Sequence, residues 1–209
     1  MPDLSVTLRL VEMMCARLCH DLGGLIGTVG NAIDIVAADD GRDNEVLAFA
    51  SSAARMLGQR LRLLRAAWGP ETDAIRLPAL IRLVTPPLAA RRIDLDAATL
   101  PSDCLFQPSV ARIVLNLVVL AIDSLPRGGT IALQGEPGDL LIRIDGQNAA
   151  WPDGFAACMR DEATALSALT APHSAQMPLT VLLARSRNLR LSPAPGPASG
   201  VEAVRLSPE

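Results

Sequence analysis

His20 and Asp21 stand side by side in ARLCHDLGGLIG (Ala16 to Gly27), with Arg17 one helical turn before them and Gly24 and Gly27 one and two turns after. Neutral imidazole is a nucleophile near pH 7, because its ordinary pKa is about 6.5. For one ring nitrogen to attack, the other must keep its proton, and the Asp21 carboxylate is the adjacent acceptor. Neighbouring helical positions diverge by about 100°, so this hydrogen bond needs a particular rotamer. Arg17 offers a guanidinium to a phosphoryl oxygen. Nucleophile, acceptor and cation together suit a phosphoryl carrier, with His20 and Asp21 as the catalytic pair.

The helix that carries them sets which way they face. With His20 at zero, Leu18, Leu22, Leu25, Val29 and Val36 fall on the opposite half of the cylinder. Arg17, Gly24, Gly27, Asn31 and Asp34 lie within about 60° of it. His20 therefore points away from the expected core. Each Gly inside a helix costs about 1 kcal/mol relative to Ala, so Gly24 and Gly27 on one exposed stripe do not serve stability. They leave room for a large surface to reach the imidazole. Arg17, Gly24, Gly27 and Asn31 are the expected partner-binding residues, and Gly23 is expected to mark a local bend. Cys15 and Cys19, one turn apart beside His20, invite a metal reading. No second ligand cluster occurs elsewhere, so no metal site is expected and the cysteines read as small packing residues.

Apolar residues recur every three or four positions through Leu8, Val11, Cys15, Leu18, Leu22, Leu25, Val29, Ile33 and Val36, which predicts one long helix over Leu4 to Val36. AADDGRDN (Ala37 to Asn44) breaks the pattern. It returns from Glu45 to Trp68, and Gly69-Pro70 stops it. Residues 1–70 thus form a helical hairpin. Two amphipathic helices cannot cover their own seam; a homodimer that builds a four-helix bundle is the simplest solution and the one expected, the alternative being that the second half of the chain covers it. From residue 71 to 209 short strand-like runs (RIDLDAA, TIALQG, LLIRID, then Leu189–Leu191 and Val201–Leu206) alternate with helical candidates. These are Pro78–Thr85, Ser109–Leu125, Asp153–Leu169 and Met177–Asn188, with SPAPGPASG as a late turn. The order predicts a two-layer α/β sandwich and an α+β protein as a whole.

Composition narrows the partners. The chain has 209 residues and a formal net charge of -3, which favours neither nucleic acid nor an anionic membrane. Every basic residue is Arg, the mark of GC-rich coding and a pointer to a bacterial source. MPDLSVTLRL carries an acidic residue and no apolar run, which argues against a signal peptide. No run of about 18 apolar residues exists to span a membrane. The expected place is the cytoplasm, with the cysteines as thiols.

The hairpin motif resembles the phosphoacceptor region of two-component histidine kinases and phosphotransferases. It is most similar to the ChpT-type histidine phosphotransferases of alphaproteobacteria, whose motif runs roughly R-x-x-H-D-x-x-G-P-x-G. Arg17, His20, Asp21, Gly24 and Gly27 match it, and Leu25 replaces the proline. SVARIVLNLVVLAIDSLPRGGTIAL (Ser109 to Leu133) resembles the N-box of the kinase ATP-binding domain, with Asn116, Leu117, Ala121, Pro126, Gly128 and Gly129 matching. The second N-box asparagine, which holds the magnesium of ATP in kinases, is Leu120 here, and an apolar side chain cannot ligate a hard cation. The kinase D-x-G-x-G element is Asp145-Gly146-Gln147-Asn148-Ala149, and QMPLTVLLARSRNL lacks the glycines of the phosphate loop.

The resemblance implies a degenerate histidine-kinase ATPase domain after the hairpin and a phosphorelay intermediate that uses no cofactor. The receiver domain of a hybrid histidine kinase would give its phosphoryl group to His20, and a response regulator receiver would take it. Magnesium is expected on the receiver. Two rivals stand beside this reading: an adaptor that binds receivers without carrying phosphate, and a sensor-less ATP-dependent histidine kinase.

Overall fold

The computed structural model describes residues 4–38, 44–70, 73–196 and 201–209. Helix α1 (Leu4–Ala38) packs along α2 (Asn44–Trp68) as a hairpin. Most of the expected connection Ala37–Asn44 lies outside the described residues. No proline occurs in α1, and the helix runs unbroken through Gly23, Gly24 and Gly27. In α2, Glu45 sits in the first turn and Arg65 in the last, each at the end where the helix dipole favours its charge.

The end of α2 is tied to the second half of the chain by polar side chains. Arg112 donates from Nε to the Ala67 carbonyl (3.3 Å) and from Nη2 to that of Trp68 (3.1 Å), while Asn116 Nδ2 also reaches Ala67 O at 2.6 Å. Carbonyls of a last helical turn have no intrahelical partner, so these bonds cap α2. They also fix where the hairpin leaves the sandwich.

Beyond α2 come β1 (Ile75–Arg76), α3 (Leu77–Ala89), β2 (Ile93–Asp96), β3 (Leu105–Phe106) and α4 (Pro108–Asp123). The hairpin strands β4 (Gly129–Glu136) and β5 (Asp139–Asp145) follow, then α5 (Phe155–Arg160), α6 (Glu162–Ser167), a 3-10 turn at Pro172–Ser174, and α7 (Gln176–Arg185). Strands β6 (Leu189–Ala194) and β7 (Ala203–Pro208) close the order. The main sheet runs β2-β4-β5-β7-β6, with β2 parallel to β4 and the other pairs antiparallel. Alternate residues of β4 and β5 (Ile131, Leu133, Leu140, Ile142, Ile144) are buried against α3 and α4. The opposite residues are half-exposed, so helices cover one face and the domain has two layers. The whole is an α+β protein, a helical hairpin joined to an α/β sandwich.

Two glycines are demanded where β4 enters the sheet between the turn before β2 and the end of β5. Gly128 and Gly129 have φ of 82° and 141°, and a Cβ would come within 2.4 Å of Arg92 O and 2.1 Å of Asp145 O. Only a residue without a side chain fits there.

Three expectations on the elements change. Asp153–Leu169, read as one helix, is two, because Asp161 adopts an extended backbone between them and its carboxylate accepts from Thr164 N at 2.7 Å to cap α6. Strands β1 and β3 are two residues each, too short for an alternating pattern to mark them. The stretch SPAPGPASG begins as edge strand β6, where Pro193 needs no ladder donor; its residues 197–200 lie outside the described residues. Among the described residues no helix is long and apolar enough to cross a membrane.

Candidate functional site

His20 stands about midway along α1 with its side chain 84% exposed, on the face away from the apolar seam. Asp21 turns inward and is 12% exposed. Its Oδ1 nevertheless lies 3.4 Å from His20 Nδ1, so the rotamer that adjacent residues need is present. In the tautomer with the proton on Nδ1, that nitrogen donates to Asp21 and Nε2 keeps its lone pair toward solvent.

Arg17 departs from expectation. Its residue is 4% exposed, and the guanidinium is used within the chain. Nη2 donates to Asp123 Oδ2 at the end of α4 (2.5 Å), and Nη1 donates to the His173 carbonyl in the 3-10 turn (2.7 Å). A group so placed does not stand open to a phosphoryl oxygen. Arg17 is a strut between α1 and the sandwich. The wheel put it within one polar stripe of His20, but that stripe is wide enough to include the edge where the sandwich packs.

The sandwich builds the far wall of a groove of about 920 Å³ beside His20. Arg17, His20, Asp21 and Gly24 line it from α1, Met56 and Arg60 from α2, and Pro86 and Pro87 at the end of α3 with Arg91 in the turn after it. Gly27 and Asn31 are exposed further along α1 and do not line it. Beta carbons added at Gly23, Gly24 or Gly27 would meet nothing within 4 Å, so no packing among the described residues requires glycine at these positions. Cys15 and Cys19, expected to pack, are exposed thiols; Cys15 borders a shallow recess with Leu18 and Trp68.

Asn116 and Leu120, which fall in the stretch that resembles an N-box, have structural roles. Asn116 is fully buried, and besides capping α2 its Oδ1 accepts from Gln176 Nε2 at 3.0 Å. Gln176 in turn accepts from Trp68 Nε1 at 3.1 Å. Every member of this buried network has a partner, the condition under which such a network holds elements in place. Leu120 is 2% exposed, packed in the hydrophobic core.

Residues 80–198, more than half of the chain, match the family model described as histidine phosphotransferase C-terminal domain. The protein phosphotransferase ChpT of Brucella abortus (strain 2308) is 24% identical over 198 residues, covering 91% of this chain and 93% of that protein. A solved bacterial phosphotransferase superposes with a TM-score of 0.72 at 24% identity, covering 97% of this chain and 96% of the other, so the two share a fold from end to end.

Proposed function

The chain belongs to the histidine phosphotransferase family, and on that premise we propose that His20 accepts a phosphoryl group from the aspartyl phosphate of one receiver domain and passes it to the aspartate of another. The carrying observation is an exposed imidazole on the wall of an open groove, with Nδ1 3.4 Å from the largely shielded Asp21 carboxylate. In this reading the Nε2 lone pair forms the N–P bond as the P–O bond to the donor breaks, and the donor leaves as carboxylate. The positive charge left on the ring is met by Asp21 through Nδ1–H. Onward transfer reverses these bonds, with the acceptor carboxylate attacking phosphorus and the imidazole leaving neutral. The donor is a hybrid kinase receiver and the acceptor a response regulator, both in the cytoplasm, with magnesium bound by the receiver. Incubation with a phosphorylated receiver tests the proposal: label should move to the peptide that contains His20.

The relay needs no ATP. Leu120 puts an apolar side chain where magnesium would need oxygen, Gln147 and Ala149 fill positions that kinases keep as glycine, and Asn116 is occupied by Ala67 and Gln176. Calorimetry with magnesium-ATP at millimolar concentration should show no heat of binding. A micromolar dissociation constant would favour the kinase reading instead.

The working unit is a homodimer. Leu4, Leu8, Val11, Ile26 and Ile33 lie within about 60° of one another on the side of α1 away from His20, and each is more than half exposed in the single chain. A continuous apolar stripe of this kind marks a protein interface, and a second hairpin would close it as a four-helix bundle. Sedimentation should give a dimer for the wild type at micromolar concentration. Ile26→Asp should give a folded monomer, because Ile26 is 55% exposed and carries no part of the chain's own core. A monomeric wild type would contradict the dimer.

A further inference from the structure

Asp21 is approached by two guanidiniums, and distance separates their roles. Arg17 Nε is 3.6 Å from Asp21 Oδ2, outside hydrogen-bond range, and makes no hydrogen bond at all. Its two terminal nitrogens are committed to Asp123 and to the His173 carbonyl. Arg60 of α2 donates from Nη2 to the same Asp21 Oδ2 at 3.0 Å. Its side chain is 17% exposed, so water competes weakly for that bond. Asp21 thus has its two oxygens divided between partners on different helices, Oδ2 to Arg60 and Oδ1 to His20.

We infer that Arg60 is a positioning residue for phosphoryl transfer, resting on the reading of His20 as nucleophile. A carboxylate on a helix turns freely about χ2 when both oxygens face water, because that torsion is broad and roughly two-fold. Pinned through Oδ2 by a group on the opposing helix, Asp21 presents Oδ1 to Nδ1. The proton is then held on Nδ1, and the tautomer with a free Nε2 prevails. The hairpin itself therefore sets the reactive form of the imidazole, and a residue far from His20 in sequence controls which nitrogen can attack.

Arg60→Gln and Arg60→Lys test this in the full-length protein, alone and with Asp21→Asn. The first readout is the ratio of Nδ1–H to Nε2–H tautomers of His20 by nitrogen NMR, recorded without a receiver. The second is single-turnover transfer from a phosphorylated receiver across a range of receiver concentrations. Arg60→Gln should shift the tautomer ratio toward Nε2–H. It should slow transfer at saturating receiver by roughly 10- to 100-fold, the scale seen when a partner that orients a metal-binding histidine is removed, with the half-saturating concentration unchanged. Arg60→Lys, which keeps charge and one donor, should recover part of the rate. Arg60→Gln should add no further loss once Asp21 is Asn.

An unchanged tautomer ratio, or wild-type transfer by Arg60→Gln, overturns the inference. So does a loss confined to the half-saturating concentration, which would make Arg60 a receiver contact. Should the wild type take no phosphoryl group, the carrier reading fails, while the tautomer ratio still decides whether Arg60 orients the pair.

Discussion

Replacing His20 by Gln is expected to abolish phosphoryl uptake and leave receiver binding and folding intact. The side chain is 84% exposed and, among the described residues, its polar contact is Asp21, so its loss removes neither core nor cap. Glutamine keeps a similar bulk in the groove but offers no lone pair basic enough to attack phosphorus. The effect is complete loss of label on this chain against an unchanged melting temperature and unchanged receiver affinity. Binding and transfer thus separate in one variant. An adaptor that docks receivers without carrying phosphate would keep its signalling output in His20→Gln, and that result would replace the relay with a scaffold.

Gly24→Gln is expected to stop transfer as fully, by a different route. Gly24 lies one turn from His20 on the wall of the same groove, and an added Cβ would meet nothing in the chain. Gly24→Ala should therefore raise the melting temperature, since Ala gains about 1 kcal/mol over Gly inside a helix. Evolution has left that stability unused, which makes sense if a receiver's active site must sit flat over the helix. A glutamine there would hold the receiver off by several ångströms, too far for in-line attack. The measurements are receiver affinity, transfer rate and melting temperature on both variants. Wild-type transfer by Gly24→Gln would show that the glycines are no docking surface.

Helix α1 was legible because its period is long and regular: the seam from Leu8 to Val36 marks the side on which His20 does not lie. The apolar character of α4 was legible residue by residue, and Leu120, which stands where the N-box of kinases has its second asparagine, is packed in the core. What the sequence hid is the part of the site made by other elements. Nothing in a helical wheel for α1 indicates that α4 and the 3-10 turn press against one edge of its polar stripe, and so the wheel leaves Arg17 open whereas it is buried. The α3 wall, Pro86 to Arg91, is a tertiary contact with no local signal. Arg60 had a faint one. Asp21 and Arg60 each lie sixteen residues from the near end of the Ala37–Asn44 connection, so an antiparallel hairpin folded symmetrically about it sets them at the same height. The two-helix reading of Asp153–Leu169 was missed for a local reason. Asp161 favours a cap, and its apolar neighbours kept helical spacing across it.

The most direct test is a two-receiver relay. A labelled phospho-aspartyl receiver is mixed with this chain, the donor is removed, and an unlabelled second receiver is added. At each stage the label's stability to acid and base is recorded. On this chain the label should be base-stable and acid-labile, as a phosphoramidate on imidazole is, and it should pass to the second receiver as an acyl phosphate. His20→Gln should break the chain at the first step. Label that reaches the second receiver through His20→Gln, or that rests on this chain in an acid-stable form, would contradict the account.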